Sequence, residues 1–470
     1  MKNKLFYFII LIAAILRLFF LITDYHEVWW DSGAYIGMGK YIFSGGTVGL
    51  WEDIRPVVWP VVLGFGWWIG FNPEIFGRVI TFLLSIGCVI LVHVLSKRFF
   101  DEKTALFASS IFAFSPVFFY LGFHTYTEIP SLFLLLLSFY FLTSGKYFVA
   151  GFFLGLSTLT RFPMGIFLLP ASLYFLQRNH KLKITTFFIA AFFGALFPFL
   201  IFNYFMYGSF LATFTAGASA IKHVLGCNVL RAMPWPAYFG WIVLSEHPVH
   251  LFAVLGVLYA LFSKAKKAYF VIAAAIVPLI YYSQMSCRDY RYLLSFLPFI
   301  AMLTGYGLNI FVLWAEHKIN KMRSWIFPAV FVFILFSSLW QGLMYYNGEE
   351  ITTVDVAAIN YFSFLKSNDV AGELWTANPV VAAFSDKKYE KVYYPVYHKQ
   401  QYLNFYGYLQ KNNEKIGAVF VDNCGGGIIC HPNDDVCRKQ NDITIDFLSK
   451  NFMLAYNASK GNCWYRVFVK

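Results

Sequence analysis

Charged residues are scarce in this sequence, at 13% of its 470 residues. Soluble domains carry about 25%, so this scarcity excludes an ordinary soluble globular protein. Acids are the scarcer sign, with 25 Asp and Glu against 37 Lys and Arg, and the net charge is +12. The basic residues lie in short clusters between long apolar runs rather than on one face. A nucleic-acid partner is therefore excluded, and a polytopic α-helical membrane protein is predicted.

The apolar runs alternate with basic clusters in a way that predicts membrane topology. No small-x-small cleavage site follows the first run, so it is interpreted as a membrane anchor and not as a removed signal peptide. With every basic cluster inside, the N-terminus is predicted to be cytoplasmic and the C-terminal domain extracytoplasmic. The pattern predicts about eleven transmembrane helices, at residues 5–22, 76–95, 105–121, 129–142, 147–159, 164–175, 184–204, 249–262, 269–282, 293–314 and 325–344. Residues 57–71 are predicted to lie in the outer interface, since a full span there would invert everything that follows.

Apolar runs shorten after residue 344, which predicts two domains: a transmembrane domain at 1–344, whose outer loop is 24–73, and a small extracytoplasmic α/β domain at 345–470. Strands are predicted at 416–421 and 465–469, and helices at 354–366 and 443–450. An exported domain can form disulfides, and four cysteines allow three pairings. A zinc site that includes His431 is the alternative, but the sequence lacks a close Cys-x-x-Cys pair. The four cysteines of this domain are Cys424, Cys430, Cys437 and Cys463.

Two acids on the predicted outer side are candidates for chemistry. Asp31 follows the first helix between Trp29-Trp30 and a Ser-Gly-Ala-Tyr stretch, and Glu128 stands in a very short loop before a proline. A carboxylate can take the proton of an acceptor hydroxyl and so activate it as a nucleophile. Asp31 is therefore predicted to be the catalytic base and Glu128 a second site acid. The alternatives are a solvated loop acid at Asp31 and a partner for the helix dipole at Glu128.

Arginines on the predicted outer side are exceptions to the positive-inside bias. Guanidinium grips phosphate with two hydrogen bonds, so these arginines are predicted to bind a lipid phosphate. The alternative is ordinary snorkelling to headgroups. The sharper hypothesis places a polyprenyl-phosphate sugar on them. Its phosphate would then be displaced directly, with inversion and without the second carboxylate of glycosidases. The set is Arg17, Arg55, Arg78, Arg161, Arg288 and Arg291.

A series of short motifs in a fixed order resembles the GT-C class of membrane glycosyltransferases. The resemblance is closest to the branch that includes dolichyl-phosphate-mannose protein mannosyltransferases and the lipid A aminoarabinose transferase. It covers roughly residues 5–307, and the order of the pieces carries it. The motifs are Arg17, Asp31 with Tyr35 and Gly45-Gly46, Arg55-Pro56 with Trp59-Pro60, Thr127-Glu128-Ile129-Pro130, Gly155-Leu156 leading to Thr160-Arg161-Phe162-Pro163, Asn203 to Gly208, and Arg288 to Pro298.

The resemblance implies a GT-C-like fold, with Asp31 as the base and Glu128 lining the site. Tyr35 and Tyr292 are predicted to bind the substrate or its lipid phosphate together with the arginines. The resemblance implies a polyprenyl- or dolichyl-phosphate sugar donor. The acceptor, a protein, lipid or glycan, stays open, and the plasma membrane is the predicted location. The family often has Asp-Glu at the first motif. Here Asp31 is followed by Ser32, which leaves Glu27 or Glu128 as helpers. A metal-independent enzyme without a cofactor is favoured. A transporter or flippase of lipid-linked glycans is the alternative, but it would not need a concentration of acids in the first outer loop.

Overall fold

The computed structural model describes residues 2–23, 28–177, 182–224, 226–230, 232–319, 323–348, 356–391, 399–424, 430 and 433–470. Glu27, His431 and the first two residues of the predicted helix 354–366 lie outside the described residues. Helices dominate the first three quarters of the chain. They are α1 (Lys2–Thr23), α2 (Trp30–Phe43), α3 (Val58–Trp68), α4 (Pro73–Phe99), α5 (Glu102–Ala113), α6 (Pro116–Leu121), α7 (Glu128–Thr143), α8 (Tyr147–Thr160), α9 (Leu168–Gln177), α10 (Leu182–Tyr207), α11 (Ala212–His223), α12 (Ala237–Gly240), α13 (Phe252–Phe262), α14 (Lys266–Gln284), α15 (Leu297–Lys318) and α16 (Arg323–Gly348).

The remainder of the chain combines short helices with strands. In order these are α17 (Val356–Phe362), α18 (Phe364–Ser367), β1 (Glu373–Thr376), α19 (Val381–Phe384), β2 (Glu390–Lys391), α20 (Lys399–Asn412), β3 (Ile416–Asp422), α21 (Asp435–Asn451), β4 (Met453–Lys460) and β5 (Cys463–Val469).

The chain divides into two structural units. Unit 1 comprises Met1–Asp24, Arg78–Phe210 and Pro234–Ile351, and unit 2 comprises Tyr25–Gly77, Leu211–Met233 and Thr352–Lys470. Most of the predicted outer loop, residues 24–73, therefore belongs to the same unit as the C-terminal α/β segment.

Apolar helices identify a membrane-embedded, multi-pass protein. In the described part of the chain, six helices are long and apolar enough to cross a membrane: Lys4–Thr23, Pro73–Phe99, Leu182–Tyr207, Lys266–Gln284, Leu297–Lys318 and Ser324–Tyr345. They match six of the predicted spans. Other predicted spans correspond to shorter apolar helices at Glu128–Thr143, Tyr147–Thr160, Phe162–Gln177 and Pro248–Phe262. The count of about eleven spans and the orientation of the termini stay predictions.

One predicted span is wrong as a single helix. Residues 105–121 form two helices, because α5 ends at Ala113 and α6 begins at Pro116. Pro116 is at the start of α6, where a missing N–H is harmless, whereas inside a longer helix it would break the hydrogen-bond ladder. The predicted spans that start at 164, 249 and 293 each open with a 3-10 segment, at Phe162–Phe167, Pro248–Leu251 and Tyr290–Ser295.

Aromatic contacts pack the interior of unit 1. The ring of Phe139 on α7 lies 4.8 Å from that of Phe270, 5.6 Å from that of Phe299 and 6.0 Å from that of Phe167. One side chain thus joins α7, α14 and α15 to the 3-10 segment before α9. Ring pairs at these separations add stabilisation beyond the burial of apolar area.

The C-terminal part of unit 2 is built on a five-stranded sheet with the order β2-β1-β3-β5-β4. β1 pairs in parallel with β2 and β3, whereas β5 is antiparallel to both β3 and β4. The predicted strands 416–421 and 465–469 are confirmed as β3 and β5. The predicted helix 443–450 is part of α21, and 354–366 corresponds to α17 and α18. β4 was not predicted, because most of its residues are exposed and show no apolar alternation.

Two disulfides join the four cysteines of the C-terminal segment. Cys424 pairs with Cys463, and Cys430 pairs with Cys437. The structure thus chooses one of the three pairings that the sequence left open. Sulfurs committed to disulfides are not available as zinc thiolates, so the zinc alternative is not supported.

A buried acid at the end of β3 makes the stability of unit 2 sensitive to pH. Asp422 is fully buried. It accepts hydrogen bonds from the Cys424 backbone N–H at 3.0 Å and the Tyr361 hydroxyl at 3.4 Å. Burial raises the pKa of Asp422 to about 7 against the pull of those hydrogen bonds.

We expect this acid to weaken the fold as the pH rises. In the unfolded chain the carboxyl loses its proton near pH 4, whereas in the folded chain it keeps the proton to about pH 7. Stability is therefore fully present below about pH 4 and is lost towards pH 7 and above, by at most about 4 kcal/mol. Thermal unfolding of the full-length chain in detergent should show a smaller fall between pH 5 and 8 for Asp422→Asn than for wild type. Asp446→Asn, at an exposed acid paired with Lys450, is the control. Equal pH slopes for wild type and Asp422→Asn would contradict this prediction.

Candidate active site

Candidate residues occur in both units, and each unit brings some of them together. In unit 2, the Asp31–Arg55 cluster consists of Asp31, Tyr35, Glu52 and Arg55. The Arg55 guanidinium donates from Nη1 to Asp31 Oδ1 at 2.9 Å and from Nε to Glu52 Oε2 at 2.7 Å. It also lies over the Tyr35 ring, 5.0 Å from the ring centre. One planar fork thus holds two carboxylates and an aromatic face.

Local structure explains why these side chains meet. Asp31 and Tyr35 are four residues apart on α2, which places them on the same face of that helix. Glu52 and Arg55 follow in the loop that leads to α3. Gly45 and Gly46 turn the chain after α2 with φ values of 64° and 85°, a left-handed conformation that glycine adopts without strain.

Exposure separates the roles of the two acids. The Glu52 side chain is completely buried and that of Arg55 is 10% exposed, whereas that of Asp31 is 30% exposed. Two acids and one arginine leave the cluster with a net negative charge. Asp31 is therefore the acid of this cluster that a substrate can reach, and Glu52 is a buried anchor for Arg55.

In unit 1, a second group surrounds Glu128. The Glu128–arginine cluster consists of Glu128, Arg161, Asp289, Arg291 and the rings of Tyr126 and Tyr292. Arg161 Nη1 lies 2.9 Å from Glu128 Oε1, and Arg291 Nη1 lies 3.8 Å from the same oxygen. Arg161 lies over the Tyr292 ring at 5.0 Å and Arg291 over the Tyr126 ring at 5.1 Å.

The residues of this cluster lie at the ends of helices. Glu128 is the first residue of α7, Arg161 directly follows α8, and Arg291 lies in the 3-10 segment before α15. Helix ends leave backbone groups and side chains available for polar contacts that helix interiors do not offer. Glu128 also lies in the first turn of α7. Its carboxylate can therefore interact with the α7 dipole while it forms the ion pairs.

Asp289 completes the charge balance of this cluster. Its Oδ2 lies 3.1 Å from Arg291 Nη2. Burial alone would raise the pKa of Asp289, but Arg291 beside it holds that pKa below its ordinary value. With Glu128 only 3% exposed and Arg291 26% exposed, the arginine is the more accessible of the pair. A guanidinium has five donors, so Arg291 can keep its acid partner and still grip a phosphate oxygen.

The remaining predicted arginines donate to backbone carbonyls. Arg17 is fully buried and donates from Nη2 to the Ala113 carbonyl, at 2.7 Å, where α5 ends. Arg78 donates to the Leu21 carbonyl at 3.2 Å and Arg288 to the Ser283 carbonyl at 3.0 Å. Arg17 is therefore a helix-packing residue in this structure. A role for these three arginines in phosphate binding stays a prediction.

Sequence reasoning missed Glu52, Asp289 and Glu246. Glu52 precedes Arg55 by three residues, and Asp289 lies inside the Arg-Asp-Tyr-Arg stretch that carries Arg291. With only 25 acids in the chain, an acid this close to an outer arginine was a usable signal.

Glu246 gave no such signal, because its partners are far away in sequence. It is fully buried and accepts from the Ser115 hydroxyl at 2.6 Å, the Val117 backbone N–H at 3.1 Å, and the Tyr290 hydroxyl. Burial raises the pKa of Glu246 to about 7. This carboxyl joins the start of α6 to the 3-10 segment that carries Arg291.

The fold is the one seen in solved GT-C membrane glycosyltransferases, so the resemblance to this class that the sequence predicted is confirmed. More particularly, residues 55–205 match the family model of dolichyl-phosphate-mannose-protein mannosyltransferase. That segment contains Arg55, Glu128 and Arg161. A search of curated proteins found no match.

Solved structures show the same fold over almost the whole chain. ArnT from Cupriavidus metallidurans bound to undecaprenyl phosphate has a TM-score of 0.65 at 13% identity, covering 99% of this chain and 97% of that one. The Archaeoglobus fulgidus oligosaccharyltransferase in the apo form has a TM-score of 0.59 at 12% identity, covering 89% of this chain and 69% of that one. The arabinofuranosyltransferase AftD from Mycobacteria has a TM-score of 0.52 at 10% identity, covering 98% of this chain and 41% of that one. At these identities the similarity establishes the fold alone.

Proposed function

We propose that this chain is a glycosyltransferase that moves a sugar from a polyprenyl- or dolichyl-phosphate donor to an acceptor hydroxyl. The observation that carries the proposal is Asp31, the accessible acid in a cluster fixed by Arg55, on a chain with the GT-C fold. A positioned carboxylate of this kind suits general base catalysis. The acceptor is a protein, lipid or glycan.

The donor class follows from the guanidiniums of the Glu128–arginine cluster, of which Arg291 is 26% exposed and Arg161 is 13% exposed. Arginine forks match the geometry of phosphate oxygens and stabilise charge that develops on them. The similar ArnT structure holds undecaprenyl phosphate, which supports a lipid phosphate as the ligand of Arg161 and Arg291. Tyr126 and Tyr292 limit the orientations of these two guanidiniums.

The proposed reaction is a single inverting displacement. Asp31 takes the proton of the acceptor hydroxyl while the acceptor oxygen forms a bond to the anomeric carbon. The bond from that carbon to the phosphate oxygen breaks, and its electron pair leaves with the lipid phosphate. Asp31 then returns the proton to water. The leaving group is already an anion, so no general acid and no cofactor are needed.

The reaction belongs on the outer face of the plasma membrane in this proposal. The positive-inside pattern of the basic clusters supports a cytoplasmic N-terminus and an extracytoplasmic C-terminal domain. The disulfides of that domain are consistent with an oxidising compartment. Proteolysis of the C-terminal domain in sealed right-side-out vesicles tests the orientation, and protection of the domain would overturn it.

Transfer from defined donors tests the function. Membranes with the chain should move label from a radiolabelled polyprenyl-phosphate sugar into a protein, lipid or glycan product, and membranes without it should not. Nucleotide sugars are the control donors, because the proposed leaving group is a lipid phosphate. Transfer from nucleotide sugars alone would overturn the donor class. Movement of sugar-lipid across the bilayer without any transfer would favour a flippase.

A further inference from the structure

A short segment of the C-terminal domain encloses the side chain of Lys40. This segment, residues 379–389, lies between β1 and β2 and is called the clasp below. Lys40 Nζ donates to the carbonyls of Ala382 at 3.0 Å, Ala383 at 3.2 Å and Ser385 at 3.0 Å. It also lies 3.0 Å from Asp386 Oδ1 in an ion pair. Lys40 is only 3% exposed.

The clasp also contacts α2 through small residues. A Cβ atom added at Gly33 would lie 2.6 Å from the Val380 Cα, and one added at Gly37 would lie 3.0 Å from the Ala382 Cβ. α2 therefore approaches the clasp as closely as backbone allows at Gly33. Together with Lys40, these positions spread the contact over two turns of the helix that begins at Trp30.

The loop after α2 is tied to the clasp as well. The Gly49 backbone N–H donates to the Lys387 carbonyl at 2.9 Å, and the Tyr389 N–H donates to the Gly49 carbonyl at 2.7 Å. From α3, the Trp67 indole N–H donates to Asp386 Oδ1 at 3.1 Å. Both elements that supply the Asp31–Arg55 cluster are thus bonded to one segment of the C-terminal domain.

Burying the Lys40 ammonium in this contact costs desolvation free energy. Burial lowers the pKa of Lys40, and Asp386 only partly opposes that effect. Asp386 is itself 63% exposed, so backbone carbonyls accept most of the hydrogen bonds of the Lys40 ammonium. A buried charge of this kind adds little to the stability of the fold. It does restrict the contact to one geometry, because any shift would leave the ammonium donors and the carbonyl oxygens without partners.

We infer that Lys40 is a positioning residue, and that the C-terminal domain uses the clasp to fix α2 and the following loop so that Asp31 and Arg55 meet in the reactive geometry. This inference rests on the proposed function. Asp31 lies nine residues before Lys40 on one helix, a rise of about 14 Å. A shift or rotation of α2 at the clasp is therefore carried to Asp31.

Lys40→Met in the full-length chain tests the inference, with Lys450→Met as the matched control at an exposed lysine of the same unit. Backbone amide hydrogen exchange in residues 30–55 should become about tenfold faster in Lys40→Met, while β3 and β5 stay unchanged. Transfer should lose about 10- to 100-fold in kcat with little change in the KM for the donor. Lys450→Met should leave both measurements unchanged.

Asp386→Asn is the milder variant in case Lys40→Met does not fold. It removes the charge partner of Lys40 and keeps the carbonyls, so exchange and kcat should move in the same direction by a few-fold. Unchanged exchange in 30–55, or faster exchange with unchanged kcat, would overturn the inference. Absence of transfer by the wild-type chain would instead overturn the proposed function, so the two failures are distinguishable.

Discussion

Replacing Asp31 with asparagine should lower the rate of sugar transfer about 10²- to 10⁴-fold. The amide has nearly the same shape and can still accept from Arg55, so the cluster should stay in place. It cannot take a proton from the acceptor hydroxyl at neutral pH. Binding of the donor should change little, because the expected loss is confined to the deprotonation step. Initial rates with a radiolabelled donor, together with equilibrium donor binding, measure both effects.

Asp53→Asn is the matched control, since Asp53 is an exposed acid on the same loop, two residues before Arg55. It should retain transfer within about twofold, as surface substitutions usually do. Equal transfer by wild type and Asp31→Asn would exclude Asp31 as the base and direct attention to Glu128. A loss of donor binding in Asp31→Asn would mean that the variant had disturbed the cluster, and the assignment of a proton-transfer role would fail.

The local pieces of this site were accessible from the sequence, whereas their pairings were not. The acid after the first helix and the Arg-Pro motif point to Asp31 and Arg55, but nothing in either segment says that the two side chains form an ion pair. Their pairing depends on how the loop after α2 folds back. Glu52 escaped notice for the same reason, since an acid in a loop looks solvated until the fold buries it.

Lys40 illustrates a different gap. Charge patterning assigns lysines to inner loops or to solvent. No sequence pattern predicts that a buried lysine donates to the carbonyls at the end of the four-residue helix α19. Its partners lie more than 340 residues away. Arg17 shows a contact of the same kind. An arginine inside a membrane helix predicts a phosphate ligand, but nothing in the sequence predicts that the Ala113 carbonyl at the end of α5 accepts a hydrogen bond from it.

Arg291→Gln should reduce kcat/KM for the donor about 10- to 100-fold, or about 1.4–2.8 kcal/mol of transition-state binding. Arg291 is a sharper choice than Arg161, because the structure pairs Glu128 with Arg161 at 2.9 Å but with Arg291 only at 3.8 Å. Glu128 therefore keeps its nearer partner in the variant. Asp289 loses its ion pair with Arg291 but is 29% exposed, so the fold should survive. Arg291→Lys should recover only part of the loss, since an ammonium preserves the charge but not the bidentate fork.

The control for this series is Arg438→Gln, at an exposed arginine that pairs with Asp435 on α21, and it should behave as wild type. Thermal unfolding in detergent separates damage to the fold from loss of binding. If Arg291→Gln keeps its unfolding temperature and loses donor affinity, the guanidinium contacts the lipid phosphate directly. Full rescue by lysine would show that only the charge matters and would contradict the two-bond grip. Unaltered kinetics in both variants would remove Arg291 from the donor site and leave its ion pairs with Asp289 and Glu128 as its whole role.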